Sequence, residues 1–187
     1  MARSEIRCIG YGGQGVITLS KMIAYAAVVD NKEAVQTEAY GPASRGGSCW
    51  AEVVVDDERA IDYPRAILPQ YYIILSQPGA NRYGKKFCNK PGVTTIIDPL
   101  TVTKWRARKG KTYQIQAQQI ATVEFKVPVV ANTLLFGAFM EITGLVSKDA
   151  AIKTIKKFVP AKAYDLNLKA FEKGIALVKD EKAKEDN

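Results

Sequence analysis

The chain has 187 residues, with 27 Lys and Arg against 19 Asp and Glu, a net charge of +8, three cysteines and no histidine. Without histidine it can build neither a Ser-His-Asp nor a Cys-His nucleophile system, nor an imidazole metal site, so acid–base work falls to Glu, Asp, Lys, Tyr or a partner chain. Cys8, Cys49 and Cys88 are widely spaced with no C-x-x-C pair, which argues against a disulfide framework or an iron–sulfur cluster held by this chain alone and fits a reducing cytoplasm.

A composition of 47% hydrophobic and 25% charged residues is that of an ordinary globular domain. One α/β domain is expected over residues 1–178, with a flexible charged tail at 179–187. No run reaches the roughly 18 apolar residues of a membrane span. Residues 1–9 lack a signal peptide's apolar stretch, so the expected compartment is the cytoplasm and no membrane contact is expected.

Residues 5–9 alternate charged and apolar, then turn glycine-rich, which predicts a short strand entering a turn. Val16, Leu19, Ile23 and Ala26/Ala27 share one face of a helix over 15–29. Strand, glycine turn and helix open a βαβ unit. Residues 33–38 suit a second strand, and a long glycine- and proline-bearing loop follows. Residues 50–55 read as a strand, 56–58 as a turn, and 59–63 as the return strand of an antiparallel hairpin. Residues 71–75 and 92–98 are compact apolar runs, as in central strands buried on both faces, and 113–115 form a short strand. Leu134, Leu135, Ala138, Phe139 and Ile142 mark a buried helix stopped at Gly144. Ser147 caps the next helix, with Asp149 in its first turn and Pro160 at its end. Leu168, Phe171, Ile175 and Val178 define the last helix. The pattern predicts a Rossmann-like open sheet, mostly parallel with an antiparallel hairpin, and helices on both faces.

The segment Gly10-Tyr11-Gly12-Gly13-Gln14-Gly15 fits G-x-G-x-x-G in the strand–helix context that motif requires. Such glycines permit a tight turn, close backbone approach to a phosphate and close helix–strand packing. They equally serve a plain strand–helix turn. The acid that would hold a dinucleotide ribose is ill-defined among Asp30, Glu33 and Glu38. A phosphate-binding P-loop is excluded, because Val16 and Ile17 stand where Lys and Ser/Thr are needed. Arg45, among Gly41, Gly46 and Gly47, either docks an acidic or phosphate group or is an ordinary surface arginine. Residues 104–111 carry five basic residues around Trp105, a weak signal for nucleic acid and better read as a solvated loop. Tyr71, Tyr72, Tyr83 and Tyr113 read as packing residues. Cys88 reads as a structural thiol despite neighbouring Lys85 and Lys86.

Taken together, Gly10 to Val16 and the segment Glu38-Ala39-Tyr40-Gly41-Pro42-Ala43-Ser44-Arg45-Gly46-Gly47 resemble the gamma subunit of 2-oxoacid:ferredoxin oxidoreductases. The strand ending at Asp98, the helix begun by Ala131-Asn132-Thr133 and the segment Asp165-Leu166-Asn167 agree with it. The resemblance implies a complex with alpha, beta and delta subunits that converts a 2-oxoacid, with 2-oxoglutarate favoured, and coenzyme A to acyl-CoA and CO2, and reduces ferredoxin. It implies thiamine diphosphate, magnesium and iron–sulfur clusters on the partner subunits and none of them on this chain, which is inactive alone. Carried over as site residues are Gly10, Gly12, Gly13, Gln14 and Gly15 in one loop, and Tyr40, Arg45, Gly46 and Gly47 in a second. No catalytic or metal-binding residue is expected here. The competing reading is a stand-alone NAD- or flavin-binding oxidoreductase.

Overall fold

Two faces of one sheet are written into strand alternation. The computed structural model, which describes residues 3–41 and 47–185, contains β1 (Arg3–Tyr11), β2 (Glu33–Tyr40), β3 (Ser48–Asp56), β4 (Tyr71–Ile74), β5 (Thr94–Ile97) and β6 (Lys111–Gln114). They form a single sheet in the order β2-β3-β1-β4-β5-β6. The pairs β1–β4, β4–β5 and β5–β6 are parallel; β1–β3 and β2–β3 are antiparallel. Ile6, Cys8, Val53, Ile73 and Ile96 point to the first face, and Ile9, Tyr72, Ile74 and Ile97 to the second, the period-2 pattern of strands covered on both sides.

The first face carries most of the core. It packs against α1 (Val16–Val29), α3 (Ala117–Val123), α4 (Ala131–Thr143), α5 (Lys148–Phe158) and α6 (Tyr164–Glu185). Most of α4 is buried, from Ala131 through Met140 without a break. It lies so close to α6 that a Cβ on Gly137 or Gly174 would run into the opposing backbone carbonyl of Phe171 or Leu134. Gly144, at φ +60°, ends α4 in the left-handed conformation a helix stop uses. Ser147 Oγ then accepts the Ala150 amide (3.1 Å) and donates to Asp30 (2.6 Å), which joins the start of α5 to the end of α1. The last helix runs on to Glu185, beyond the boundary expected at Val178.

The second face is covered more thinly. Over β4 and β5 lie the short helix α2 (Gln77–Tyr83) and a turn over Gly84–Cys88. Over β1 and β3 lies a strap without regular structure, residues 57–70. Here the expected hairpin is corrected. Residues 59–63 form no strand, because β3 is already hydrogen-bonded to β2 on one side and β1 on the other. With both edges of β3 taken, the chain crosses the face instead. Two buried carboxylates hold it there. Glu5 accepts the Leu68 amide (2.7 Å). Glu52, 1% exposed, accepts Arg7 (2.6 Å), Arg65 (2.7 Å) and the Ala66 amide (3.3 Å). Thus the charged half of the alternation in β1 faces a protein strap and not water. Among the described residues, no helix is long and apolar enough to cross a membrane.

Burial alone would raise the Glu52 pKa, but the hydrogen bonds and charges of Arg65 and Arg7 outweigh it and hold the carboxyl below its ordinary value. A depressed folded pKa adds stability above the unfolded pKa, and that share is lost as pH falls through the folded value. We therefore expect Glu52→Gln to lower unfolding free energy by about 3 kcal/mol at neutral pH. The variant's stability, followed by urea denaturation, should also fall less steeply than wild type as the solution is acidified below pH ~4.

Candidate functional site

The carboxyl ends of β1, β2 and β4 and the amino end of β3 meet at one edge of the sheet. The glycine loop and the second predicted loop therefore converge. The Gly12 amide donates to the Gly47 carbonyl (3.0 Å), and the Gly41 amide to the Ser48 carbonyl (2.8 Å). Between them opens a cleft of about 410 Å³, lined by Gly12, Gly13, Val16, Tyr40, Gly47 and Asn132, among others. A neighbouring pocket of about 330 Å³ shares Gly13, Val129 and Asn132 with it. Arg45 and Gly46 lie outside the described residues.

Each predicted residue has a distinct task. Gln14 is a staple: its Oε1 accepts the Tyr11 amide (2.7 Å) and its Nε2 donates to the Leu75 carbonyl (2.7 Å), fixing the loop to the end of β4. Gly10 permits packing, since a Cβ there would stand 2.5 Å from Val16 Cγ2. Gly13 and Gly15 adopt φ of +98° and +72°, the left-handed region that glycine enters freely. Space also restricts Gly15, whose Cα faces the Asn132 amide so closely that a Cβ would overlap it. Tyr40, 64% exposed, borders the cleft and donates its hydroxyl to Glu38 Oε1 (3.1 Å). That bond raises the phenol pKa above its usual value, so the hydroxyl stays protonated.

The N-terminus of α1 opens into this cleft. Gly15 supplies no side-chain cap, and the first turn contains no acid. The Leu19 amide returns to the Gly15 carbonyl (2.9 Å). The amides of Val16, Ile17 and Thr18, all lining the cleft, have no acceptor among the described residues. Such amides, together with the helix dipole, favour an anion. Asn132, at the start of α4, is 8% exposed, and its amide has no hydrogen-bond partner among the described residues. The amide faces the open space of the cleft, where it is available to a bound group. Sequence reading anchored α4 at Asn132 but did not bring it to the glycine loop, since the two are more than a hundred residues apart.

The remaining candidates are structural. Asp98 is fully buried; desolvation raises its pKa while it accepts the amides of Leu100 (2.9 Å) and Gln118 (2.8 Å), joining the turn after β5 to α3. Tyr72, Tyr83 and Tyr113 are buried packing residues. Burial pushes the Cys8 thiol up to about 12 and Cys88 up to about 11, and also raises Cys49, so all three stay as neutral thiols at ordinary pH. Cys8 and Cys49 lie on the neighbouring strands β1 and β3 and Cys88 on the other face, and no group of three or more His, Cys, Asp or Glu among the described residues could hold a metal ion. Trp105 is partly buried: its ring packs against Gly84 and its Nε1 donates to Thr112 Oγ1 (3.0 Å).

The dinucleotide reading fails on topology. It needs β2 beside β1, so that an acid at the end of β2 reaches the ribose. Here β3 intervenes, which moves the end of β2 out by a strand spacing of roughly 4.8 Å. Glu33 begins β2 at the opposite edge, Asp30 is committed to Ser147, and Glu38 pairs with Lys21 (3.1 Å).

Fold and cleft define an open α/β domain with a glycine-lined cleft at its sheet edge. The chain belongs to the pyruvate ferredoxin/flavodoxin oxidoreductase family, which matches it over residues 5–177. It is 41% identical over 180 residues to 2-oxoglutarate synthase subunit KorC of Methanocaldococcus jannaschii, covering 95% of each chain. To pyruvate synthase subunit PorC of Methanothermobacter marburgensis it is 31% identical, covering 89% of this chain and 92% of that one. The crystal structure of a keto/oxoacid ferredoxin oxidoreductase gamma subunit from Geobacter sulfurreducens superposes with a TM-score of 0.81 at 32% identity, covering 95% of this chain and 99% of the other. The resemblance carried by the two glycine segments is borne out at the level of the family.

The two left-handed glycines should respond differently to a methyl group. Gly13 has open space at its Cβ position, so Gly13→Ala should cost about 1 kcal/mol from backbone strain alone. Gly15→Ala must also displace Asn132, and should cost at least about twice as much in urea denaturation.

Proposed function

We propose that the chain is the gamma subunit of a 2-oxoacid:ferredoxin oxidoreductase, with 2-oxoglutarate as the 2-oxoacid. The complex would decarboxylate the 2-oxoacid, join the acyl group to coenzyme A, and pass two electrons to ferredoxin. The higher identity to a 2-oxoglutarate synthase subunit than to a pyruvate synthase subunit supports this choice. Alpha, beta and delta subunits would be the partners. Thiamine diphosphate, magnesium and the iron–sulfur clusters belong on those subunits in this reading, because the described residues here assemble no donor set for a metal or cluster.

The part assigned to this chain is reception of coenzyme A. The observation that carries it is the Asn132 amide, which opens onto the cleft beside the uncapped start of α1. Coenzyme A presents phosphate oxygens, which accept hydrogen bonds from backbone amides and a carboxamide without any need for a catalytic side chain. Val16, Ile17 and Thr18 would donate through the backbone and Asn132 through Nδ2. Arg45, between Gly41 and Gly47 in sequence, would add a guanidinium. Binding a remote phosphate orients the thiol end without entering the chemistry.

In the reconstituted complex, Asn132→Ala should raise KM for coenzyme A about tenfold, the loss of one hydrogen bond to a charged group. Asn132→Asp, which sets a carboxylate against phosphate, should raise it further, and Arg45→Ala should raise it as well. KM for 2-oxoglutarate should hold in every case. An unchanged KM for coenzyme A in all three, with assembly and melting temperature preserved, rules this role out.

A further inference from the structure

The chain's net charge is confined to one stretch. Between Tyr63 and Val123 there are ten Lys or Arg and a single acid, the fully buried Asp98. The rest of the chain has 17 Lys or Arg against 18 Asp or Glu and is nearly neutral. That stretch builds α2, β4, β5 and β6 and much of the cover on the second face.

The backbone that carries its cations is held in place. The loop before β6 lies against the Gly84–Cys88 turn: Asn89 Oδ1 accepts the amides of Arg108 (2.8 Å) and Lys109 (2.9 Å), and Trp105 rests on Gly84. Gln77 grips the loop's other end, accepting the Lys104 amide (2.9 Å) and donating to its carbonyl (2.9 Å). Lys85, Lys86, Lys90, Lys104, Arg106, Arg108 and Lys109 are all exposed on these two joined segments, and none has an ion-pair partner among the described residues. Beside them, at the amino ends of β4 and β5, lies a groove of about 360 Å³ lined by Leu68, Tyr72, Phe87, Lys90, Pro91 and Val93, among others. Ile67 and Leu68 on its rim are 66% and 71% exposed.

We infer that this face docks a partner subunit through an acidic surface with an apolar anchor at its centre. The groove takes the anchor, and the cations meet Asp and Glu around it, the arrangement of an apolar interface core within a polar rim. Nucleic acid suits the face less well, because its aromatic rings are engaged in packing: Trp105 lies against Gly84, Tyr72 is buried, and Phe87 is half-buried on the second-face core. A second copy of this chain suits it no better: outside the basic stretch the chain has no surplus of acid to offer. The inference rests on the reading of the chain as a subunit of a larger complex, and is independent of the coenzyme A role.

The test mixes the full chain with the other subunits purified from its complex, and follows association by calorimetry from 50 to 500 mM salt. Wild type should bind, more weakly as salt rises. Lys85→Glu combined with Arg106→Glu, and separately Leu68→Asp, should each weaken binding at least about tenfold, with melting temperatures close to wild type. Reversal of two cations on α5, Lys153→Glu with Lys156→Glu, should leave binding unchanged. Equal binding by wild type and both face variants overturns the docking face while leaving the subunit reading intact. A wild-type chain that binds none of the subunits overturns both. Tight binding of homopolymeric RNA that is lost in the Lys85/Arg106 variant, with subunit binding kept, also overturns it.

Discussion

The constraint on which the architecture turns is that β3 runs antiparallel between β1 and β2 and is hydrogen-bonded along both edges. It separates the two strands that a dinucleotide fold would pair, and brings the segment before β3 to the same edge as the glycine loop. The Gly12–Gly47 hydrogen bond is a direct result of that placement. It also leaves the segment after β3 with no strand to pair with, so residues 57–70 cross the second face as a strap. A strap cannot bury a helix's worth of apolar surface, and buried carboxylates hold it instead. Glu5 and Glu52 satisfy strap amides that no ladder reaches.

This explains how a dinucleotide-type motif can stand at an edge whose strand order differs from that of a dinucleotide-binding fold. Glycines at the β1–α1 turn are demanded by local geometry: a left-handed turn, and helices packed closely on a strand. Those demands hold whether or not a ribose-binding acid is present, which is why G-x-G-x-x-G alone identifies a turn better than a ligand. Here Gly15 answers to α4 as much as to any ligand, and Gln14, though it sits within the motif, spends both ends of its amide on the backbone.

Much of the fold was legible because periodicity and capping are local. Strand alternation in β1, the apolar runs of β4 and β5, the buried stripe of α4 and the Ser147 cap all fall within a few residues of their signal. The parts that were not legible depend on partners distant in sequence. Both α2 and α3 are only seven residues long, too short for a helical period to show, and both are set by what they pack against. The hairpin expected at 59–63 followed from a sound turn signal at 56–58, defeated by β2 and β1 already occupying the neighbouring positions. Part of the candidate site was legible as two glycine segments. Asn132 joins them only through the packing of α4 on α1, and its missing hydrogen-bond partner is a property of three-dimensional space alone.

The two proposed surfaces, of opposite design, could share a domain this small because the sheet keeps them apart. The glycine-lined cleft opens at the carboxyl ends of the strands, on the side where α1 and α4 begin. The apolar groove lies at the amino ends of β4 and β5, and the cations extend from it over the second face. A partner seated on the second face would leave the cleft open. The separation also has an electrostatic logic. A cluster of unpaired cations beside the cleft would attract any phosphate, whereas in the proposed site backbone amides and one carboxamide, with Arg45 as a single guanidinium, would select by geometry. With most of the net charge held to the far face, it would be free to steer association while the proposed site discriminated by shape and hydrogen-bond direction.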